Sequence, residues 1–266
     1  MNVSTADDEI LGEIGLAVGN ALIDTHRDAH HNRAVLTLVG EELDTAVRTL
    51  ARAVVGHLDL RRHRGVHPRL GVLDVVPFVP IARAPGAPLD GALRMRDAFA
   101  AWAGEELGLP CFCYGPERSL PEVRRRAFVS LSPDYGPVLA DPATGACCVG
   151  AREALVAYNL ILQVNDLARA RAIAAGLRSA QVRALGLQVG DEVQVSCNLI
   201  DPFRFGPEAC FDAVAAQAPI RRAELVGLVP DAVYRATDPQ RRGALDLEPE
   251  RTIEARAGAA GYAVSD

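Results

Sequence analysis

Between Ala154 and Leu162 the chain runs through nine almost unbroken apolar residues, ALVAYNLIL, and this run limits the folds open to it. It is about half the length of a helix that crosses a bilayer, so it belongs in a protein core. Leu155 to Leu162 suits a central β-strand covered on both faces. Further on, Val193, Val195, Cys197 and Leu199 alternate with Glu192, Gln194, Ser196 and Asn198, the two-residue period of a half-buried strand.

Helical periods separate such strands. A helix is predicted from Ala6-Asp7 through Ile10, Ile14 and Val18, with acidic groups at its positive end. Leu43, Val47, Leu50 and Val54 form a second apolar stripe, and Ala92, Met95, Phe99 and Trp102 a third. Ala21 to Asp24, Arg33 to Val39, Val72 to Val79, Cys111 to Tyr114 and Ala223 to Leu228 read as strands, and Leu60 to Leu70 as a loop. Asn165-Asp166 caps a helix through Leu167, Ala170, Ala174 and Leu177, and Pro207 to Ala216 is helical. The order predicts an α/β (α+β) protein of two packed subdomains, residues 1–164 and 165–266. Each is a sheet with helices on one side, with a ligand cleft between them.

Composition removes several functions. All 28 basic residues are arginine, so Schiff-base lysines, pyridoxal-phosphate lysines and the usual phosphate-loop lysine are absent. A net charge of −6 argues against general nucleic-acid binding, and no G-x-G-x-x-G follows a strand-like run. The first residues are polar and acidic, unlike a signal peptide, and Cys111, Cys113, Cys147, Cys148, Cys197 and Cys210 read as buried, reduced side chains. A soluble cytoplasmic protein, away from membranes, is expected.

All six histidines fall between His26 and His67. His57 belongs to an amphipathic helix. Asp28-Ala29-His30-His31-Asn32-Arg33 and Arg61-Arg62-His63-Arg64-Gly65-Val66-His67-Pro68-Arg69 are denser in polar chemistry. Pro68 biases His67 towards an extended backbone, and an imidazole there suits a general base near neutral pH. A metal is the competing reading. His63 and His67 have a helical ligand spacing, but Gly65 and Pro68 oppose a helix and the arginines would repel a dication. Cys111 and Cys113 lack a second ligand pair nearby. No metal is expected.

His67-Pro68-Arg69-Leu70-Gly71-Val72-Leu73-Asp74 resembles the H-P-R-x-G-x-x-D segment of the glutamate formimidoyltransferases. The resemblance extends through His31-Asn32-Arg33, Pro77-Phe78-Val79-Pro80, Leu120-Pro121-Glu122-Val123-Arg124 and Pro133-Asp134-Tyr135-Gly136-Pro137. It continues through Gly150-Ala151-Arg152, Tyr158-Asn159-Leu160, Ser196-Cys197-Asn198-Leu199 and Glu224 to Pro230. It implies two α/β subdomains with folate held between them, and transfer of a formimino group from N-formimidoyl-L-glutamate to N5 of tetrahydrofolate in histidine degradation. It also implies a homodimer, and no cyclodeaminase part is expected in this chain.

By the same resemblance His67 is the catalytic histidine; on charge alone, Asp74 and Asp28 are candidates to orient it. The folate loop maps onto Gly136, Pro137, Val138, Leu139, Ala140, Asp141, Pro142, Ala143, Thr144 and Gly145. Both substrates carry carboxylates, and Arg33, Arg69 and Arg152 are the candidates to clamp them. Two departures stand out. Of the family's opening E-C-V-P-N-F-S-E-G-R, Asn2 and Ser4 match; and a Ser-Trp-Gly in the folate loop is Ala143-Thr144-Gly145, which removes an aromatic surface. The alternatives are a related one-carbon transferase with another donor, such as formyl-glutamate, and a folate-binding relative without turnover.

Overall fold

The computed structural model describes residues 1–65, 69–81 and 86–262. The chain forms two units, residues 1–80 with 88–152, and residues 81–87 with 153–266.

The first unit contains β1 (Asn2–Val3), α1 (Asp8–Val18), β2 (Leu22–Asp28), β3 (Arg33–Leu38), α2 (Leu43–His57), β4 (Leu73–Phe78), α3 (Asp90–Glu106), β5 (Cys111–Tyr114), α4 (Leu120–Arg126) and β6 (Cys147–Ala151). Its sheet has the order β2-β3-β1-β4-β6-β5. The β2–β3 hairpin and β1 pair antiparallel, whereas β4, β6 and β5 run parallel. The Asp7 carboxylate caps α1 by accepting from the Glu9 and Ile10 amides at 3.0 and 3.1 Å. Leu11, Ile14, Val47, Leu50, Val54, Phe99 and Ala103 bring α1, α2 and α3 into one core with Cys111, Cys113 and Cys147 of the sheet. Alternate residues Phe112, Tyr114 and Cys148 pack instead with Val123 of α4. The sequence offered no stripe for α4, because Val123 is its one buried residue and its last turn is Arg124-Arg125-Arg126.

Strand β2 runs four residues beyond the predicted end, because its pairing with β3 continues to Asp28 opposite Arg33. Burial pushes the thiols of Cys113 and Cys148 up to about 12, so these cysteines act as small apolar side chains.

The second unit contains β7 (Val156–Leu162), α5 (Leu167–Leu177), β8 (Val182–Val189), β9 (Glu192–Leu199), α6 (Pro207–Ala215) and β10 (Ile220–Val226), in an antiparallel sheet of order β10-β7-β9-β8. The apolar run is indeed a central strand, and its pairing with β9 and β10 gathers residues 156–162 into this unit rather than the first. Tyr158 is fully buried and its hydroxyl donates to Leu245 O at 2.9 Å. Asn159 lies opposite Glu224 and donates to its carboxylate at 2.9 Å, which brings two of the family-like tags together. Among the described residues no helix is long and apolar enough to cross a membrane.

Candidate active site

The polar residues singled out in the first 80 positions converge on the β2–β3 turn and the loop between α2 and β4. Asp28 ends β2. One carboxylate oxygen accepts the His31 amide at 2.9 Å and the other bonds the His31 ring at Nδ1. Burial pushes the Asp28 carboxyl up, but the bonds from His31 outweigh it and bring the group down to about 2. His31 itself is buried. Asp28 is therefore engaged with His31; His67, which the sequence offers as its partner, lies outside the described residues.

Asn32 follows with a left-handed backbone, φ 44°. Its Oδ1 accepts from the Ala6 amide at 3.0 Å and its Nδ2 donates to Arg64 O at 2.9 Å. Its carbonyl accepts from His63 Nε2 at 2.9 Å and from Arg69 Nη1 at 3.3 Å, while Arg69 Nη2 donates to His31 O at 2.9 Å. Arg69 also touches the His63 ring nitrogen. Burial, with the charges of Arg69 and Arg64, holds the His63 imidazole below its ordinary pKa despite the Asn32 bond. Gly65 lies so near that a Cβ there would overlap His31 O.

Arg33 opens β3 one residue later. Its Nε is buried without a hydrogen-bond partner. Burial lowers its pKa, Asp74 and Asp28 counteract that, and Arg124 and Arg69 add to it. Asp74, 2% exposed, has already committed its oxygens: Oδ1 to the Leu70 amide at 2.8 Å and Oδ2 to Arg124 Nη2 at 2.5 Å. The site thus holds three guanidiniums around one buried carboxylate, with Asp28 bound to His31. A buried guanidinium nitrogen without a partner, as at Arg33 Nε, is costly unless another group completes it.

The segment from Asp141 to Gly145 joins the same loop. The Leu60 amide donates to Ala143 O at 2.7 Å, Val72 N to Thr144 O at 2.9 Å, and Ala146 N to Leu70 O at 2.9 Å. Gly145 has φ 71°, and a Cβ on it would overlap Leu70 O. Gly136 is likewise left-handed, at φ 81°, and packs against Leu109 and Gly104. Between these glycines Val138 and Leu139 are exposed, at 70% and 80%. Arg152 follows β6, and its positive charge acts on the buried Tyr114 hydroxyl, whose pKa burial raises.

His67 lies outside the described residues, together with Val66 and Pro68. The segments on either side of it, the β2–β3 turn, and the second half of the expected folate loop are brought together. Asp74 stands beside Leu70 and Arg124. Sequence reasoning did not single out Asn32 or Arg124 by role, although both sit inside recognised tags. Among the described residues no cluster of three or more His, Cys, Asp or Glu could hold a metal, and His57 lies 3.3 Å from Glu13 instead.

A model of the formiminotransferase domain, N-terminal subdomain, matches residues 2–152. Formimidoyltransferase-cyclodeaminase of Sus scrofa is 34% identical over 261 residues, covering 84% of this chain and 48% of that protein. Glutamate formimidoyltransferase of Streptococcus pyogenes serotype M1 is 32% identical over 243 residues, covering 80% of both chains. The Thermoplasma acidophilum glutamate formimidoyltransferase is 30% identical over 243 residues, covering 79% of this chain and 78% of its own. The chain spans about half the length of the formimidoyltransferase-cyclodeaminases and about four fifths of the shorter enzymes. The family model spans the turn, the loop and the arginines described above, and with these relatives it makes this chain a member of the formiminotransferase family.

Proposed function

We propose that the protein is a glutamate formimidoyltransferase, moving a formimino group from N-formimidoyl-L-glutamate to N5 of tetrahydrofolate. Family membership supports the reaction class, and Arg33 is the observation that carries the site. Its buried Nε has no hydrogen-bond partner, and the nearby Asp74 has both oxygens committed elsewhere. A substrate carboxylate is the anion that would satisfy it, since guanidinium and carboxylate pair in a planar fork. Arg152 is the second clamp. Arg69 has two donors on the carbonyls of His31 and Asn32, so it contributes chiefly by holding the loop.

The chemistry needs one mobile proton. N5 of tetrahydrofolate attacks the formimino carbon, the N5–C bond forms, and the bond from that carbon to the glutamate nitrogen breaks. His67, between Gly65 and Arg69, takes the proton from N5 and returns it to the departing nitrogen. The loop from Gly136 to Gly145 contacts the folate, with exposed Val138 and Leu139 offering apolar surface to its rings. The same reading carries a cytoplasmic homodimer with tetrahydrofolate as co-substrate and no metal.

The test is to incubate the protein with tetrahydrofolate and N-formimidoyl-L-glutamate and follow the absorbance of 5-formimidoyl-tetrahydrofolate. Turnover that disappears in a folded His67→Ala variant is expected. A folded wild-type protein that binds tetrahydrofolate and transfers nothing would overturn the reading in favour of a non-catalytic folate binder. Turnover with formyl-glutamate alone would reassign the donor.

A further inference from the structure

We propose that Asn32 is a positioning residue for the loop that carries His67, setting it from both sides of that histidine. The inference rests on the formimino-transfer reading for its kinetic consequence, and on geometry for the rest. A tight turn between β2 and β3 needs only one left-handed backbone position, which glycine supplies without strain. Within that turn the side-chain bond is made by Asp28 to the His31 amide, and the Asn32 amide N–H donates to Ala29 O at 3.2 Å. The Asn32 carboxamide takes no part in closing the turn.

It reaches outward instead. Nδ2 donates to Arg64 O at 2.9 Å, just before His67, and the Asn32 carbonyl accepts from Arg69 Nη1 at 3.3 Å, just after it. The same carbonyl accepts from His63 Nε2 at 2.9 Å. Oδ1 accepts from the Ala6 amide at 3.0 Å and so ties the turn to the approach to α1. The next residue is Arg33, so one turn sets both the proposed anion site and the flanks of the proposed base. Gly65 lets this happen, because any side chain there would push the loop away from His31 O.

Asn32→Gly separates a turn-former from a positioning residue: it keeps the left-handed backbone and the carbonyl that receives His63 and Arg69, and removes the carboxamide that holds Arg64 O and the Ala6 amide. The expected result is a kcat lowered roughly 10- to 100-fold, the scale on which small misplacements of a reacting group act. KM for tetrahydrofolate should stay within about twofold. Amide hydrogen exchange at Arg64 and Gly65, on either side of the carbonyl that the carboxamide holds, should accelerate, while the thermal midpoint stays within about 4 °C of wild type. Gly65→Ala, which moves the same loop from its other side, should give the same pattern. The double variant should be less than additive, because both changes displace the same loop.

A kcat for Asn32→Gly within twofold of wild type, or unchanged exchange at those amides, overturns the proposal. If the wild-type protein transfers no formimino group, the functional reading fails. The exchange measurement then still decides whether Asn32 orders the loop. Should Asn32→Gly not fold, Gly65→Ala decides by the same readouts, a wild-type kcat counting against the proposal.

Discussion

Arg124 Nη2 lies 2.5 Å from Asp74 Oδ2, and this contact fastens helix α4 to the start of strand β4. Asp74 is almost wholly buried, whereas Arg124 keeps about a fifth of its side chain in solvent. Removing the arginine therefore strands a buried carboxylate, with its other oxygen still on the Leu70 amide. Complete burial of both partners would put the loss at about 3–5 kcal/mol, and the exposure of Arg124 reduces it to about 2 kcal/mol. Arg124→Ala should lower the thermal midpoint by about 4–8 °C. A change of less than about 1 °C would show that the pair contributes nothing to stability.

Asp28 gives the protein an acid-sensitive contact. Its carboxyl is held down at about 2 in the folded chain, against an ordinary 3.8. A carboxylate depressed by folding contributes stability above its unfolded pKa and loses it as pH falls through the folded one. The contribution should therefore fade between about pH 4 and pH 2. Thermal midpoints measured from pH 5 downwards should drop more steeply for wild type than for Asp28→Asn. Parallel curves would mean that the His31 bond stores no such linkage.

Much of this fold is legible in the sequence. Leu43, Val47, Leu50 and Val54 spelled out α2, and Val193 to Leu199 alternated cleanly because β9 has one face on the core and one more open. Its neighbour β8 escaped notice: Leu185 is exposed at 57% and Gly186 sits where an alternating strand would carry a side chain. Gly186 is there because a Cβ would strike the backbone of α5 at Arg171, a contact no local pattern reveals. Strand β6 was hidden for the opposite reason, being short and buried along its whole length. At the site, His31, Asn32 and Arg33 were visible as a polar tag. Their joint role was not, because the Asn32–Arg64 and Arg69–His31 bonds close over 32 and 38 residues of sequence.

Two glycines should respond to alanine in opposite directions. Gly12 lies inside α1 with open space where a Cβ would stand, so Gly12→Ala should raise stability by about 0.5–1 kcal/mol through helix propensity. Gly145 has φ 71° and no room beside Leu70 O and Gly71. Gly145→Ala should cost about 1–3 kcal/mol and weaken tetrahydrofolate binding, because the loop from Asp141 to Gly145 must shift. Chemical denaturation of both variants checks the pair. Equal effects of the same sign would show that the left-handed turn at Gly145 is not enforced.

His63 should titrate below an ordinary histidine, since burial and the Arg69 and Arg64 charges disfavour its imidazolium. Its ring resonance, followed by NMR against pH, should have a midpoint under the usual value of about 6.5. Arg69→Gln should move that midpoint upwards by removing the nearer cation. A group whose folded pKa is depressed in this way binds more protons when unfolded, so its share of stability declines as pH falls through the 6s. A midpoint that stays put in Arg69→Gln would mean that burial alone sets it.

Arg33 should show stability and function pulling apart. Its Nε is buried without a hydrogen bond, so the folded protein carries a charge that its own groups leave incompletely satisfied. An apolar side chain of similar length removes that burden, and replacing such buried charge is often neutral or stabilising. Arg33→Met is expected to hold or raise the thermal midpoint. The same change deletes the proposed partner of a substrate carboxylate, a charge-assisted bond of about 1.5–3 kcal/mol, so KM for N-formimidoyl-L-glutamate should rise roughly 10- to 150-fold. KM for tetrahydrofolate should change much less if Arg33 serves the donor, and more if it serves the glutamate tail of the folate. A lower midpoint with both KM values unchanged would make Arg33 a structural residue and shift the carboxylate site to Arg152.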